Sequence, residues 1–117
     1  MIRKARDHRK SRHEKLRDGK GTLEMTHFFE EAESYGVGKI FARAIIPPGS
    51  SIGTHTHEGN FEIYYMLKGN AHVTDNGVSG VLETGDMMLC KNGDNHSLEN
   101  KSDEDIEVLF LVLYDKQ

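Results

Sequence analysis

From Gly21 to Tyr114 the chain is a succession of nine short apolar runs, each closed by a turn signal, and no run outlasts the one over 106–114. A surface helix needs apolar residues at spacings of three and four sustained over ten positions or more, and only one internal stretch has helical composition. The runs read instead as strands over 22–28, 39–46, 51–56, 62–68, 71–74, 78–82, 87–90, 96–100 and 106–114. Asp75-Asn76-Gly77 is the strongest hairpin signal, because Asn and Gly tolerate the positive φ that a tight two-residue turn demands. Pro47-Pro48-Gly49 marks a corner, and Asn92-Gly93-Asp94-Asn95 a second tight turn. The exception, 29–35 (FEEAESY), predicts a short helical turn ended by Gly36. Many short strands with so little helix must bury one sheet face against another, which predicts an all-β sandwich or closed barrel.

The length of 117 residues suits one domain with one core. Hydrophobic residues make up 36% and charged residues 29%, and no apolar run approaches the ~18 residues of a membrane helix. The first thirty residues lack the apolar stretch of a secretory signal, and Cys90 stands alone, so a cytoplasmic chain without an internal disulfide is expected. The net charge of −4 conceals an asymmetry: residues 1–20 hold nine Lys or Arg against three Asp or Glu, +6, which leaves −10 for the rest. Such a segment can attract nucleic acid or anionic lipid, but it has no aromatic residue to stack on a base and almost no apolar face beyond Ile2 and Leu16. It is therefore expected to be a solvated, partly helical arm with no nucleic-acid or membrane partner. The run over 106–113 (IEVLFLVL) is apolar at nearly every position after Glu107, so both its faces should be covered, one by the core and the other by a partner chain or the arm. A homodimer is expected on that ground.

Chemistry concentrates in His55, His57, Glu62 and His96. On an extended strand residues two apart face the same way, so His55 and His57 can converge on one point while Thr56 turns away. The loop from Glu58 to Phe61 then delivers Glu62 beside them, and His96 must come from a strand distant in sequence. Three imidazoles and a carboxylate form a ligand set for one divalent transition metal. The competing reading, histidines kept for packing and hydrogen bonds, is the better one for the isolated His8, His13, His27 and His72. On the Glu62 strand, Tyr64 and Met66 share the ligand's phase. Tyr64 is a candidate hydrogen-bond donor to a bound oxyanion, or a core Tyr. Arg43, mid-strand in FARAII, is a weak candidate carboxylate clamp, with an outer-surface position preferred. Cys90 reads as a small buried hydrophobe.

With these residues in place, the chain resembles the cupin superfamily of small β-barrel domains. Its first motif reads GSSIGTHTHEGNFEIYYMLKG, with Gly49, His55, His57, Glu62 and Gly69 at the family's spacing. Its second, GDMMLCKNGDNHSLEN, places Gly85, Gly93, His96 and Asn100 likewise, but has Lys91 where a proline is usual. The resemblance implies a double-stranded β-helix (jelly-roll) barrel over 21–117 preceded by the arm of 1–20. It also implies one Mn, Fe, Ni, Co or Zn ion on His55, His57, Glu62 and His96. Four protein ligands leave open positions on such an ion, so the expected partner is a small oxygen-rich metabolite: a carboxylate, a diketone or a sugar derivative. Dioxygenases, oxalate-degrading enzymes, sugar-phosphate isomerases and plain ligand-binding proteins all share this shape, so the enzyme classes implied are a metal-dependent dioxygenase, decarboxylase or isomerase. A metal-dependent enzyme is the preferred expectation, and a non-enzymatic binding or sensor module the alternative.

Overall fold

The structure, a computed structural model, describes residues 1–116. Ten strands carry the fold: β1 (Arg9–Glu14), β2 (Thr22–His27), β3 (Gly38–Ile46), β4 (Ser51–Thr56), β5 (Asn60–Lys68), β6 (Ala71–Asp75), β7 (Val78–Leu82), β8 (Met87–Cys90), β9 (Asn95–Glu99) and β10 (Ile106–Tyr114). They form a six-stranded sheet in the order β1-β2-β3-β10-β5-β8 and a four-stranded sheet in the order β4-β9-β6-β7. Every pairing is antiparallel, and the two sheets make the jelly-roll expected from the sequence. The helical turn expected over 29–35 is a 3-10 turn at Glu31–Ser34. Among the described residues no helix is long and apolar enough to cross a membrane.

Alternation sets which side chains meet. Ala42, Ala44 and Ile46 on β3, Val108, Phe110 and Val112 on β10, and Tyr64 and Met66 on β5 point inward, where they meet Ile52, Val73 and Leu98 from the smaller sheet. Ala42 stands opposite Phe110, which stands opposite Tyr64, so small side chains on one strand make room for large rings on the next. Each large side chain buried this way contributes about 1.5–3 kcal/mol. Glu62 lies on the same inward face, level with Val112, so a carboxylate occupies a core position. The corners are held by specific groups. Asn76 and Gly77 both have positive φ (49° and 82°) in the two-residue turn joining β6 to β7. Buried Asn100 donates from Nδ2 to the carbonyls of Ile46 and Glu104, at 2.9 and 2.7 Å, which pins the exit of β3. The turn before β9 closes without the usual proline, through a 3.0 Å bond from the Asp94 amide to the Lys91 carbonyl.

Two expectations are corrected here. The basic segment 1–20 has the expected helical character only as two 3-10 turns, Ala5–Asp7 and Leu16–Asp18, and it is not a solvated arm: Arg9–Glu14 pairs along its whole length with β2 and forms one edge of the larger sheet. Its outward Lys10 and Arg12 carry charge into solvent, as suits an edge strand, while Ser11 and His13 face inward. The arm also does not cover the outer side of β10. That face stays partly open, in two apolar rows running across four strands: Phe41, Leu111, Ile63 and Leu89, then Leu109, Tyr65 and Met87 beside Arg43.

Candidate metal centre

Four donor atoms converge inside the barrel, one each from His55, His57, Glu62 and His96, all within 4.8 Å of one another. Strand register brings them together. His55 of β4 pairs directly with His96 of β9, and Glu62 arrives on neighbouring β5 of the opposite sheet. His57, just beyond β4, is clamped through its backbone: its amide donates to the Asp94 carbonyl at 3.0 Å and its carbonyl accepts from the Gly93 amide at 2.7 Å. Gly93 has a φ of +92° there, a conformation that disfavours a side chain.

The distances are compatible with one coordination shell. His57 Nε2 is 3.0 Å from Glu62 Oε1 and 3.0 Å from His96 Nε2, while His96 Nε2 is 3.0 Å from His55 Nε2 and 3.1 Å from Glu62 Oε1. His55 Nε2 lies 3.8 Å from Glu62 Oε1. Two atoms at ~2.1 Å from one ion and at right angles stand about 3.0 Å apart, so these separations are those of neighbouring ligands on one metal. The tautomers point the same way. His55 Nδ1 lies 2.8 Å from the Gly53 carbonyl and His57 Nδ1 lies 2.6 Å from Asn60 Oδ1, so each Nδ1 holds the proton and donates it. Both Nε2 atoms then present lone pairs to His96 Nε2, which in the neutral ring has at most one hydrogen to give. Lone pairs packed this tightly need a cation between them, and the donor set therefore fits a divalent transition metal.

Electrostatics agree. Burial alone would raise the Glu62 carboxyl, but the three surrounding imidazoles of His55, His57 and His96 outweigh it and hold the group well below the usual carboxylate range. His57 is raised, first by its hydrogen bond to Glu62, whereas His96 is lowered, first by burial. Tyr64 is 1% exposed and stacks on the His96 ring at 4.6 Å, with its hydroxyl 3.3 Å from His96 Nε2. Burial, reinforced by the Glu62 charge, pushes its pKa well above the ordinary value, so it stays a protonated donor aimed at the cluster.

The cluster opens into a cavity of about 160 Å³. Its lining takes in His55, His57, Glu62, Asn60 and Tyr64 of the cluster, the apolar Met25, Ile40, Ile52, Phe110 and Val112, and the polar His13, His27 and Arg17. Arg17 belongs to a tight loop in which Lys15, Arg17 and Asp18 all have positive φ. That loop lies flush on β4: a Cβ at Gly53 would collide with the Arg17 carbonyl. The sequence assigned His13 and His27 isolated structural roles; the structure places both on the cavity. The readable signal was alternation, since Leu23, Met25 and His27 share one face of β2, the same side of the sheet as Ser11 and His13 of β1. Of the other candidates, Arg43 lies on the outer face of the larger sheet, 3.8 Å from Glu107, and does not reach the cavity. His72 is exposed, and Cys90 is a buried thiol whose pKa burial pushes up to about 11.

A family model of the cupin domain matches residues 42–112, more than half of the chain. The chain belongs to the cupin family. An oxalate-binding protein of Thermotoga maritima is 41% identical over 98 residues, covering 84% of this chain and 81% of that protein. A crystal structure of a T. maritima protein described as a predicted oxalate decarboxylase superposes with a TM-score of 0.92 at 36% identity, over 98% of this chain and 100% of that one. A putative sugar phosphate isomerase from Acidithiobacillus ferrooxidans matches this cupin at a TM-score of 0.70 and 19% identity, over 82% of this chain and 62% of that one, a likeness of fold alone.

Proposed function

We propose that this cupin holds one divalent transition metal on His55, His57, Glu62 and His96 and uses it to capture a small carboxylate of the oxalate type. The observation that carries the reading is the meeting of imidazole lone pairs with a single ionised carboxylate on the lining of a small cavity. A bound ion would supply Lewis acidity, and redox capability if it is Mn or Fe. This chain's own residues do the rest. Tyr64 donates a hydrogen bond toward the ligand, Asn60 orients His57, and the apolar walls exclude water. At about 160 Å³ the cavity is well below the ~300 Å³ of a drug-sized pocket, so it suits a ligand of few atoms. The T. maritima relative named as oxalate-binding supports the same ligand class.

The preferred reading is a metal-dependent enzyme acting on that carboxylate in the cytoplasm; the second is a binding module that releases it unchanged. Titrating Mn(II)- or Fe(II)-loaded protein with oxalate, malonate and xylose tests the ligand class. Recovering the bound ligand after prolonged incubation in air, and finding it altered or intact, decides between enzyme and module.

The homodimer belongs to this proposal. Each copy's two apolar rows would lie against the other's, and Arg43 beside Glu107 on the same face gives a charge pattern that a two-fold axis can cross-pair. Arg43 Nε is buried without a hydrogen-bond partner within its own chain. Sedimentation of the wild type as a dimer and of Leu111→Lys as a monomer is expected; a monomeric wild type at micromolar concentration refutes it.

A further inference from the structure

The same cavity is lined by a second set of polar groups, distinct from the metal-ligating candidates. Ser11 Oγ is 2.8 Å from His13 Nε2 and 2.7 Å from His27 Nε2. One hydroxyl therefore bridges two imidazoles that both line the cavity. The arrangement follows from the edge strand: on the inner face of β1, Ser11 and His13 alternate, and the β1–β2 register brings Ser11 diagonally beside His27. His27 is 8% exposed, while His13 is half-exposed, so the chain of groups runs from near solvent to the buried interior.

A serine hydroxyl has one hydrogen, so in the bridge it donates to one ring and accepts from the other. That makes the bridge a route for a proton. A proton from water binds His13 Nδ1, the His13 Nε2 hydrogen passes to Ser11 Oγ, and the serine's own hydrogen passes to His27 Nε2. No heavy atom moves, no bond to carbon changes, and the positive charge has travelled from His13 to His27. On its own the chain disfavours charge on His27: burial lowers its pKa first and Arg9 next, Glu30, itself paired with Arg9 at 2.9 Å, opposes them, and His13 adds a smaller lowering. Of the other charged groups, Arg17 and Lys39 also line the cavity. An anion entering the cavity reverses the balance, because an opposite charge nearby favours the imidazolium.

We infer that His27, coupled through Ser11 to His13, is a protonatable second contact for a carboxylate captured at the metal centre, so that ligand binding draws a proton from solvent. The inference rests on the carboxylate reading of the cavity. It adds a recognition element that the metal ligands do not contain, and it assigns a role to the basic edge strand.

The test is calorimetric titration of Zn(II)-loaded protein with oxalate near pH 7, in two buffers that differ in ionisation enthalpy. Uptake of about one proton per oxalate is expected for the wild type. In His27→Gln the uptake should vanish and the oxalate affinity should fall about tenfold, the worth of one charge-assisted hydrogen bond. Because His27 is buried and the variant can fail to fold, the ¹⁵N signals of His27 in the wild type give a second readout: they should move from neutral to protonated positions as oxalate is added. In Ser11→Ala the His13 signals should cease to respond to oxalate. Oxalate binding with no buffer-dependent heat and an unchanged neutral His27 overturns the inference while leaving the carboxylate reading intact. No oxalate heat at all, from protein shown to hold its zinc, overturns both.

Discussion

Asn60→Ala separates the orientation of a ligand from the ligand itself. Asn60 Oδ1 accepts the Nδ1 hydrogen of His57 at 2.6 Å and thereby keeps the opposite nitrogen free to bind an ion. Once an ion polarises the ring, that hydrogen bond is of the charge-assisted kind, worth about 1.5–3 kcal/mol. Removing such a partner of a metal-bound imidazole typically weakens binding by about 10- to 100-fold, which corresponds to the same energy. Asn60 is only half-buried, so the metal-free fold should lose no more than about 1 kcal/mol. The expected result is therefore a roughly 30-fold weaker Zn(II) affinity at nearly unchanged apo stability, read by competition with a chromophoric chelator and by thermal melting. Asn60→Asp, which keeps an acceptor in place, should restore the affinity. The His57 pKa should also fall in Asn60→Ala, since this hydrogen bond helps to raise it. If Asn60→Ala binds zinc within threefold of the wild type while His57→Ala does not bind, the backbone clamp at Gly93 and Asp94 alone orients the ring, and the reasoning fails.

Metal affinity should drop with acidity from a point above the ordinary histidine range. The Glu62 hydrogen bond raises His57 above 6.5, a metal takes only the neutral ring, and protons therefore begin to compete before pH 6.5 is reached from above. Glu62 stays ionised through that window, so an apparent Kd that is flat down to about pH 5 would contradict the assignment. Tyr64→Phe should leave metal affinity within a few-fold and weaken oxalate about tenfold, as measured by calorimetry, because it removes a donor and keeps the ring stacked on His96. Gly53→Ala should cost about 1–3 kcal/mol in denaturant unfolding and expose the 15–18 loop to protease, because the new methyl group meets the Arg17 carbonyl.

Nine of the ten strands were readable because their apolar residues alternate and their ends carry Gly, Pro, Asn or Asp. Arg9–Glu14 was not, since RKSRHE contains no apolar residue. Its inward side chains, Ser11 and His13, hydrogen-bond beside the cavity and do not pack in the core, and the physical signal of a strand, one apolar side, is absent for that reason. The four metal-ligating candidates stood out through the two-residue spacing of His55 and His57 and the motifs around them. The Ser11, His13 and His27 bridge left no such mark, because two residues of β1 meet one of β2 only through pairing of the strands. His27 is hydrogen-bonded, as expected of a histidine outside any motif, and only the folded chain shows that its ring also lines the cavity. The open outer face of β10 shows the reverse: an unbroken apolar run announced a covered strand, and one chain alone covers only its inner side.

The central claim is that three imidazoles and one carboxylate hold a single ion. Its most direct measurement is the metal content, by mass spectrometry, of protein stripped with chelator, reloaded with excess Zn(II) or Mn(II) and desalted. One ion per chain in the wild type, and none retained in a His57→Ala, His96→Ala double variant that still melts cooperatively, is the predicted result. A wild type that retains no ion after reloading, or a double variant that retains as much as the wild type, would contradict the account.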